Sequence, residues 1–267
     1  MRIGIGIGLQ FNKSAGGNSA EALAWKARIE ANGGTISQAL LDIFDTNFFI
    51  PAKANGNILT ELDRLNIYCG LVGFEIAART NLIKSDHYVT PVSSPTFDNN
   101  GYKSSGTSYL DLNYNLSIQS VKLTSTSSCQ FIIVKTPAFA SVVRRMGGGS
   151  ASSAEMLIGV GFLNAYNTNP SGLVNPNITS IGNVFLAGKR DGINIESQIN
   201  SNVISSTSVS AGLPNVKMFE LTNANALNNP SGNYDADYHL CSGHGSYNLD
   251  TAALRTILNN LFTALGV

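Results

Sequence analysis

From about Thr90 onward the chain is a succession of strand-length segments divided by turn residues, and this punctuation limits the fold more than any other feature. "YLDLNYNLS", "CQFIIVKT", "AEMLIGVGFL", "NVFLAGKR", "GINIESQI" and "VKMFEL" are apolar or alternating runs, separated by clusters of Gly, Asn and Ser. Short runs recurring every roughly 8 to 15 residues fit a β-sandwich or jelly roll. Asp191-Gly192, between "VFLAG" and "INIES", marks a hairpin, because glycine enters positive φ without steric cost. Charged residues make up 13% of the chain, about half the usual share. Ser, Thr, Asn and Gly take their place, which suits a β-rich body with many turns and a neutral polar exterior.

Helical periodicity is confined to the two ends. "NSAEALAWKARIEANGG" predicts a helix capped by Ser19, with Leu23, Ala24, Ala27 and Ile29 at helical spacing and Gly33-Gly34 ending it. "TISQALLDIFDTNFFIPAKANG" predicts a second, capped by Thr35 or Ser37, with Ile36, Leu40, Ile43, Phe44 and Phe48 on one face. Pro51 is expected to terminate or kink it. Two short amphipathic helices form a hairpin that must pack on something larger. Leu65 to Cys69 predicts a strand entering a sheet, and "FEIAARTNLI" a short helix. "RRMGGGSASS" reads as a flexible hairpin loop, since it lacks the lysine and following helix of a phosphate loop. At the C-terminus Leu254, Ile257, Leu258, Leu261, Phe262 and Leu265 make an unbroken apolar stripe. Asn248 or Asp250 is placed to cap that helix and Gly266 to close it. The expected organisation is an N-terminal strand and helical hairpin over 1–60, serving attachment, and a jelly-roll sandwich with a C-terminal docking helix over 61–267.

The first residues form a ribbon in which Ile3, Ile5, Ile7 and Leu9 alternate with Gly4, Gly6 and Gly8. Period-two alternation is a strand signal, and a face of glycines lets another backbone lie close. The spacing is not G-x-G-x-x-G and no strand precedes it, so it is no dinucleotide fingerprint. Ile3, Gly4, Ile5, Gly6, Ile7 and Gly8 are therefore candidates for attachment to a partner by strand addition. Glycines also break the run as a secretion signal, and no apolar run reaches the ~20 residues of a membrane span. A soluble protein made in the cytoplasm is expected. Seventeen basic residues balance seventeen acidic ones, which argues against a nucleic-acid or anionic-membrane footprint. Near-zero net charge gives little colloidal repulsion, a surface suited to assembly.

Rare residues collect in "NYDADYHLCSGHGSYNLD", 233–250. Read as a strand, Asp235, Asp237, His239 and Cys241 fall on one face. That supplies two good zinc ligands at most, where a site needs three or four; the remaining histidine, His87, and Cys69 and Cys129 lie far off. The stretch is expected to be the last sandwich strand and its exit turn, with His239 and His244 binding no metal. Asp98, Asn99 and Asn100 offer only part of a calcium shell. Glycoside cleavage needs two carboxylates facing one cleft. "YLDLNYN" supplies only Asp111, "INIES" only Glu196 and "VKMFEL" only Glu220, while Glu61 and Asp63 precede the sandwich. No catalytic residue, cofactor or metal is expected, and no G-x-S-x-G elbow is present. Exposed aromatics beside Asn and Asp suit sugar binding; Tyr109, Tyr114 and Tyr166 are the leading candidates for glycan contact, with Tyr234 and Tyr247 behind them.

"LDRLNIYCG", "PVSSPTFDNNGYKSSGTSYLDLNYNLS", "STSVSAGLP" and "YHLCSGHGSYNLDTAALRTILNNLFTALG" together resemble a family of bacteriophage and prophage structural proteins with a concanavalin A-like (LamG-type) jelly-roll domain. The entry into the sandwich is matched by Phe97, Gly101, Tyr102, Gly106, Tyr109, Leu110 and Asn115, and the likeness runs from about residue 19 to the end. It implies a mainly-β, concanavalin A-like sandwich in a non-enzymatic virion component, such as a capsid decoration, head fibre or tail protein. Its partners would be other virion proteins, or further copies of itself. The alternative is a lectin-like module for host surface glycans, and a glycoside-cleaving enzyme is the third reading. His239 and Cys241 depart from the family, whose closing strand is usually apolar.

Overall fold

The computed structural model describes residues 17–56, 58–135, 144–149, 155–159, 162–168, 182–210, 212–222, 227–230, 232 and 234–267. The candidate attachment residues Ile3 to Gly8 lie outside them. Helix α1 (Ala20–Ala31) begins at Ser19, whose hydroxyl accepts from the Ala22 amide. Helix α2 (Gln38–Phe44) begins at Ser37 in the same way, through Leu40. Pro51 does not end this second helix. A π-helical turn over Asp45–Phe49 leads into α3 (Ile50–Ala54). Proline lacks an N–H and crowds the carbonyl four residues back, and the wider turn just before it relieves that conflict. Helix α4 (Ile58–Glu61) then runs straight into strand β1 (Leu62–Ile67), three residues earlier than the alternation suggested. After α5 (Glu75–Arg79) the sandwich begins.

Its first strands are β2 (Thr90–Val92), β3 (Thr96–Asp98), β4 (Gly101–Lys103) and β5 (Tyr109–Asn115), followed by the single turn α6 (Leu116–Gln119). Then come β6 (Ser127–Lys135), β7 (Arg144–Gly149), β8 (Glu155–Gly159) and β9 (Phe162–Thr168). The last group is β10 (Asn183–Asp191), β11 (Asn194–Ile199), β12 (Asn202–Thr207), β13 (Lys217–Glu220) and β14 (Tyr238–Gly245), closed by helix α7 (Thr251–Leu265). One sheet has the order β12-β11-β10-β6-β14-β4-β3, with β1 also paired to β14; the other has the order β2-β5-β13-β7-β8-β9. Every pairing is antiparallel. The protein is thus mainly β, with two antiparallel sheets in a sandwich-like arrangement.

Several turns follow from local chemistry. Asp191 pairs with Asn194 around Gly192-Ile193, and Gly192 has φ +58°, as the Asp-Gly signal required. Gly101 has φ +103°, and a Cβ there would sit 2.1 Å from the His239 carbonyl oxygen. "RRMGGG" is not a loop: it is β7, paired with β8 and β13. Three glycines hid it, because they carry no side chains to show alternation. Strand β12 was missed for the opposite reason, since all six of its residues are exposed and it has no apolar face.

The stripe of α7 is buried as expected, with Asp250 capping through the Ala253 amide and Gly266 left-handed at φ +76°. The N-terminal hairpin packs against this helix. Trp25 lies 4.6 Å from Phe44 and 6.0 Å from Phe49, ring centre to ring centre, and these aromatics join one continuous core with the sandwich residues.

Candidate functional site

Strand β5 alternates strictly. Leu110, Leu112 and Tyr114 are buried between the sheets, while Tyr109, Asp111, Asn113 and Asn115 are half-exposed on the outer face. On neighbouring β13, Met218 and Glu220 point inward, and Lys217 and Phe219 meet the outer row of β5. The Phe219 ring lies 4.7 Å from that of Tyr109, and Lys217 Nζ is 2.7 Å from Asp111 Oδ2.

The two strands are out of step here. Lys217 pairs with Asn115 and Phe219 with Asp111, so two steps along β13 match four along β5. The surplus is centred on Asn113, at φ +47°, a left-handed conformation that asparagine tolerates better than most residues. Its amide donates to the Tyr88 carbonyl (2.7 Å) and Thr90 Oγ1 (2.9 Å), and its backbone N–H donates to Asp111 Oδ1 (2.8 Å). Bulges bend a strand and re-aim its side chains. Beside this one a groove of about 550 Å³ opens, lined by Asn113, Asn115, Ile118, Gln119, Lys217 and Asn228.

Backbone groups orient its amides. Gln119 Oε1 accepts from the Asn115 N–H (2.6 Å), and Asn228 Oδ1 from the Lys217 N–H (2.7 Å). Among the described residues, both amides thus spend their oxygens on the protein and keep their NH2 groups for a ligand. The Asn113 amide does the reverse, spending its NH2 and keeping its oxygen. Such a surface offers fixed donors and an acceptor beside an apolar wall, Ile118, which is 73% exposed.

Of the tyrosines expected to contact glycans, Tyr109 lies on this face. Tyr114 does not: it is buried, its ring packs on His87 (4.5 Å) and His244 (5.2 Å), and its hydroxyl bonds Ser120. The alternation of β5 is the reason, for it sends residues 110, 112 and 114 to the core. Tyr166 falls in β9, and its side chain lies outside the description. Asn113, Gln119, Lys217 and Asn228 were not anticipated. The outward set Tyr109-Asp111-Asn113-Asn115 was readable from period two, but the bulge and the cross-strand lysine were not.

The histidine-rich stretch forms something different. His239 and Cys241 do not share a face. His239 pairs with Val134 and Cys241 with Ile133, so Leu240 is an extra residue in β14. That bulge turns His239 to the same side as Ser242 and His244, toward the other sheet. There His239 Nδ1 meets Glu220 Oε1 at 2.9 Å and Nε2 meets Asp235 Oδ2 at 2.8 Å. Arg145 binds Asp235 and Asp237, Arg64 lies 3.7 Å from Glu220, and Tyr68 and Ser242 both donate to Glu220. Three cations thus face three carboxylates. Burial opposes charge on His239, but the bonds to Asp235 and Glu220 outweigh it and hold its pKa above the usual histidine range. Burial likewise works against Glu220 and Asp235, yet their bonds to His239 keep both below the usual carboxylate range. Burial and then Arg64 push His244 far down, so it is neutral. The side chains of Arg64, Arg145, Glu220 and His239 are wholly enclosed. The cluster ties the two sheets together and offers no approach to a substrate. Among the described residues no group of three or more His, Cys, Asp or Glu is placed to hold a metal ion, and Cys69, Cys129 and Cys241 are buried free thiols.

No protein-family model matches the chain, and no curated protein sequence does. Among solved structures it is similar to domain 4 of AbnA, an extracellular arabinanase from Geobacillus stearothermophilus in complex with arabinotriose. The identity is 15%, over 72% of this chain and 98% of that one, with a TM-score of 0.44. It is also similar to a mutant Trypanosoma rangeli sialidase displaying trans-sialidase activity, at 6% identity, 85% and 38% coverage and a TM-score of 0.49. An alginate lyase of polysaccharide lyase family 7 gives 14%, 74%, 95% and 0.30. The chain spans 30–39% of the length of the sialidases it matches. These are likenesses of fold.

Proposed function

We propose that the protein is a non-enzymatic binding module whose β5–β13 groove takes a glycan. The observation that carries this reading is the groove itself: oriented amide donors, an amide acceptor and an apolar wall, on the outer face of β5 that also carries Tyr109. Sugar rings offer hydroxyls that both donate and accept, and C–H faces that pack on apolar or aromatic groups. The described lining holds no carboxylate, and Asp111 beside it is engaged by Lys217, whereas hydrolysis needs two carboxyl groups placed about 5 to 9.5 Å apart. A glycan array with the wild type and Tyr109→Ala tests the reading. Saturable, competed binding that weakens in the variant is expected; absence of binding to a broad array removes the idea.

A second reading, compatible with the first, is a phage virion component, in the head or the tail, that presents this sandwich on the particle. Two observations favour it. Phe97, Gly101, Tyr102, Tyr109, Leu110 and Asn115, which carry the resemblance, lie in β3 to β5, with Gly106 in the turn before β5. The outer edge of β12 has no paired strand among the described residues, and "NVISST" carries no charge, lysine or proline of the kind that guards an edge. On this reading the chain is made in the host cytoplasm and resides in the virion. It is held by other virion proteins or by copies of itself, with Ile3 to Gly8 as the attachment strand. Mass spectrometry of purified particles, followed by its location in a particle reconstruction, tests this; consistent absence from particles rejects it.

A further inference from the structure

We infer that the groove selects neutral glycans over acidic ones, and that Asp111 is the residue setting this preference. The inference rests on the glycan-binding reading and sharpens it.

Lys217 is the one formally charged side chain in the described lining. Alone, a lysine with 45% of its side chain exposed would attract the carboxylate or sulfate of an acidic sugar. It is not alone. Asp111 Oδ2 sits 2.7 Å from its ammonium, and the Asp111 side chain is only 14% exposed. The backbone N–H of Asn113 holds the other oxygen, Oδ1, at 2.8 Å. The bulge that opens the groove therefore also fixes the carboxylate that neutralises its lysine. An acidic sugar reaching Lys217 must displace Asp111 or lie beside it, and two like charges at contact repel strongly where water is partly excluded.

What remains is matched to uncharged oxygen. The NH2 groups of Gln119 and Asn228 donate, the Asn113 Oδ1 accepts, and Ile118 gives a wall for a ring face. Amide groups recognise hydroxyl and acetamido groups without a net charge on either side, so binding should vary little with ionic strength.

The experiment compares a neutral and a uronic-acid oligosaccharide series on wild type, Asp111→Asn and Asp111→Ser, at low and high salt. Melting curves establish which variants fold. Wild type is expected to bind neutral oligosaccharides with little salt dependence and acidic ones more weakly. Removing the carboxylate frees Lys217, so the ratio of acidic to neutral affinity should rise by about tenfold at low salt and fall back at high salt. Acidic glycans bound by wild type as tightly as neutral ones, or no change of ratio in either folded variant, would overturn the inference and leave the binding module standing. Failure of both series on every protein would overturn the module and the inference together.

Discussion

His239 of one sheet meets Glu220 of the other across the interior of the sandwich, Nδ1 to Oε1 at 2.9 Å, with neither side chain exposed. Its second nitrogen faces Asp235. A ring flanked by carboxylates on both sides donates from both nitrogens and is therefore an imidazolium, which completes a charge balance with the buried Arg64 and Arg145 and the partly exposed Asp237.

His239→Ala strands two buried carboxylates short of their shared cation. Breaking a buried pair by removing one partner costs about 3–5 kcal/mol, and chemical denaturation should show a loss of that size. Elemental analysis of wild type, His239→Ala and His244→Ala should show no stoichiometric metal in any of them. A metal lost with His239 would mean that the cluster is a ligand set after all.

The same cluster sets a pH dependence with a definite sign. The folded-state pKa of His239 is raised, so its contribution is complete below the unfolded value of about 6.5 and is lost as pH rises through the folded value. Glu220 and Asp235 are depressed; their contribution is present above about pH 4 and fades as pH falls through their folded values. His244, kept neutral in the fold, works the other way and subtracts stability below about pH 6.5, so denaturation midpoints should be highest near that pH and decline above it. Replacing His239 should abolish most of that alkaline decline, and an unchanged slope would contradict the imidazolium.

How this cluster escaped the sequence shows where reading by period stops. The α7 stripe and its caps were legible because every contact they need is local or lies on one face. In β14 the alternation was legible too, but Leu240 is one residue too many, and a single bulge reassigns every later side chain to the opposite face. Nothing in "YHLCSGHG" marks it. Asn113 is a related case in β5, where the surplus is two residues and the alternation survives: the residue type tolerates its backbone, yet only the partner strand reveals the surplus. The groove inherits that blindness, since Lys217 and Asn228 reach it from more than a hundred residues away.

Asp63 offers a stability test on the turn that follows the groove residue Gln119. Its carboxylate accepts from the amides of Val121, Lys122 and Leu123 and pairs with Lys84 at 2.7 Å. One buried side chain thereby anchors the turn between α6 and β6. Hydrogen bonds to a charged group contribute about 1.5–3 kcal/mol, so Asp63→Ala should lower unfolding free energy by roughly 3 kcal/mol. Hydrogen exchange should accelerate first at 121–123.

The two tyrosines of β5 should separate by function. Tyr114→Ala removes a fully buried ring and should cost about 3–5 kcal/mol. Tyr109→Ala removes a half-exposed ring tilted against Phe219 and should cost about 1–2 kcal/mol, with a much larger proportional effect on glycan binding. Equal thermal shifts for the two variants would argue against this assignment of faces.

Deleting residues 1–12 addresses attachment. The truncated protein is expected to fold, and a melting temperature within a few degrees of the full chain's would show it. An alternating ribbon with one face of glycines suits addition to a neighbour's sheet edge, where backbone bonds supply affinity. On the virion reading, the truncated protein should fold, bind glycan as before and fail to enter particles. Normal incorporation would remove Ile3 to Gly8 as the attachment element and turn attention to the uncharged outer edge of β12.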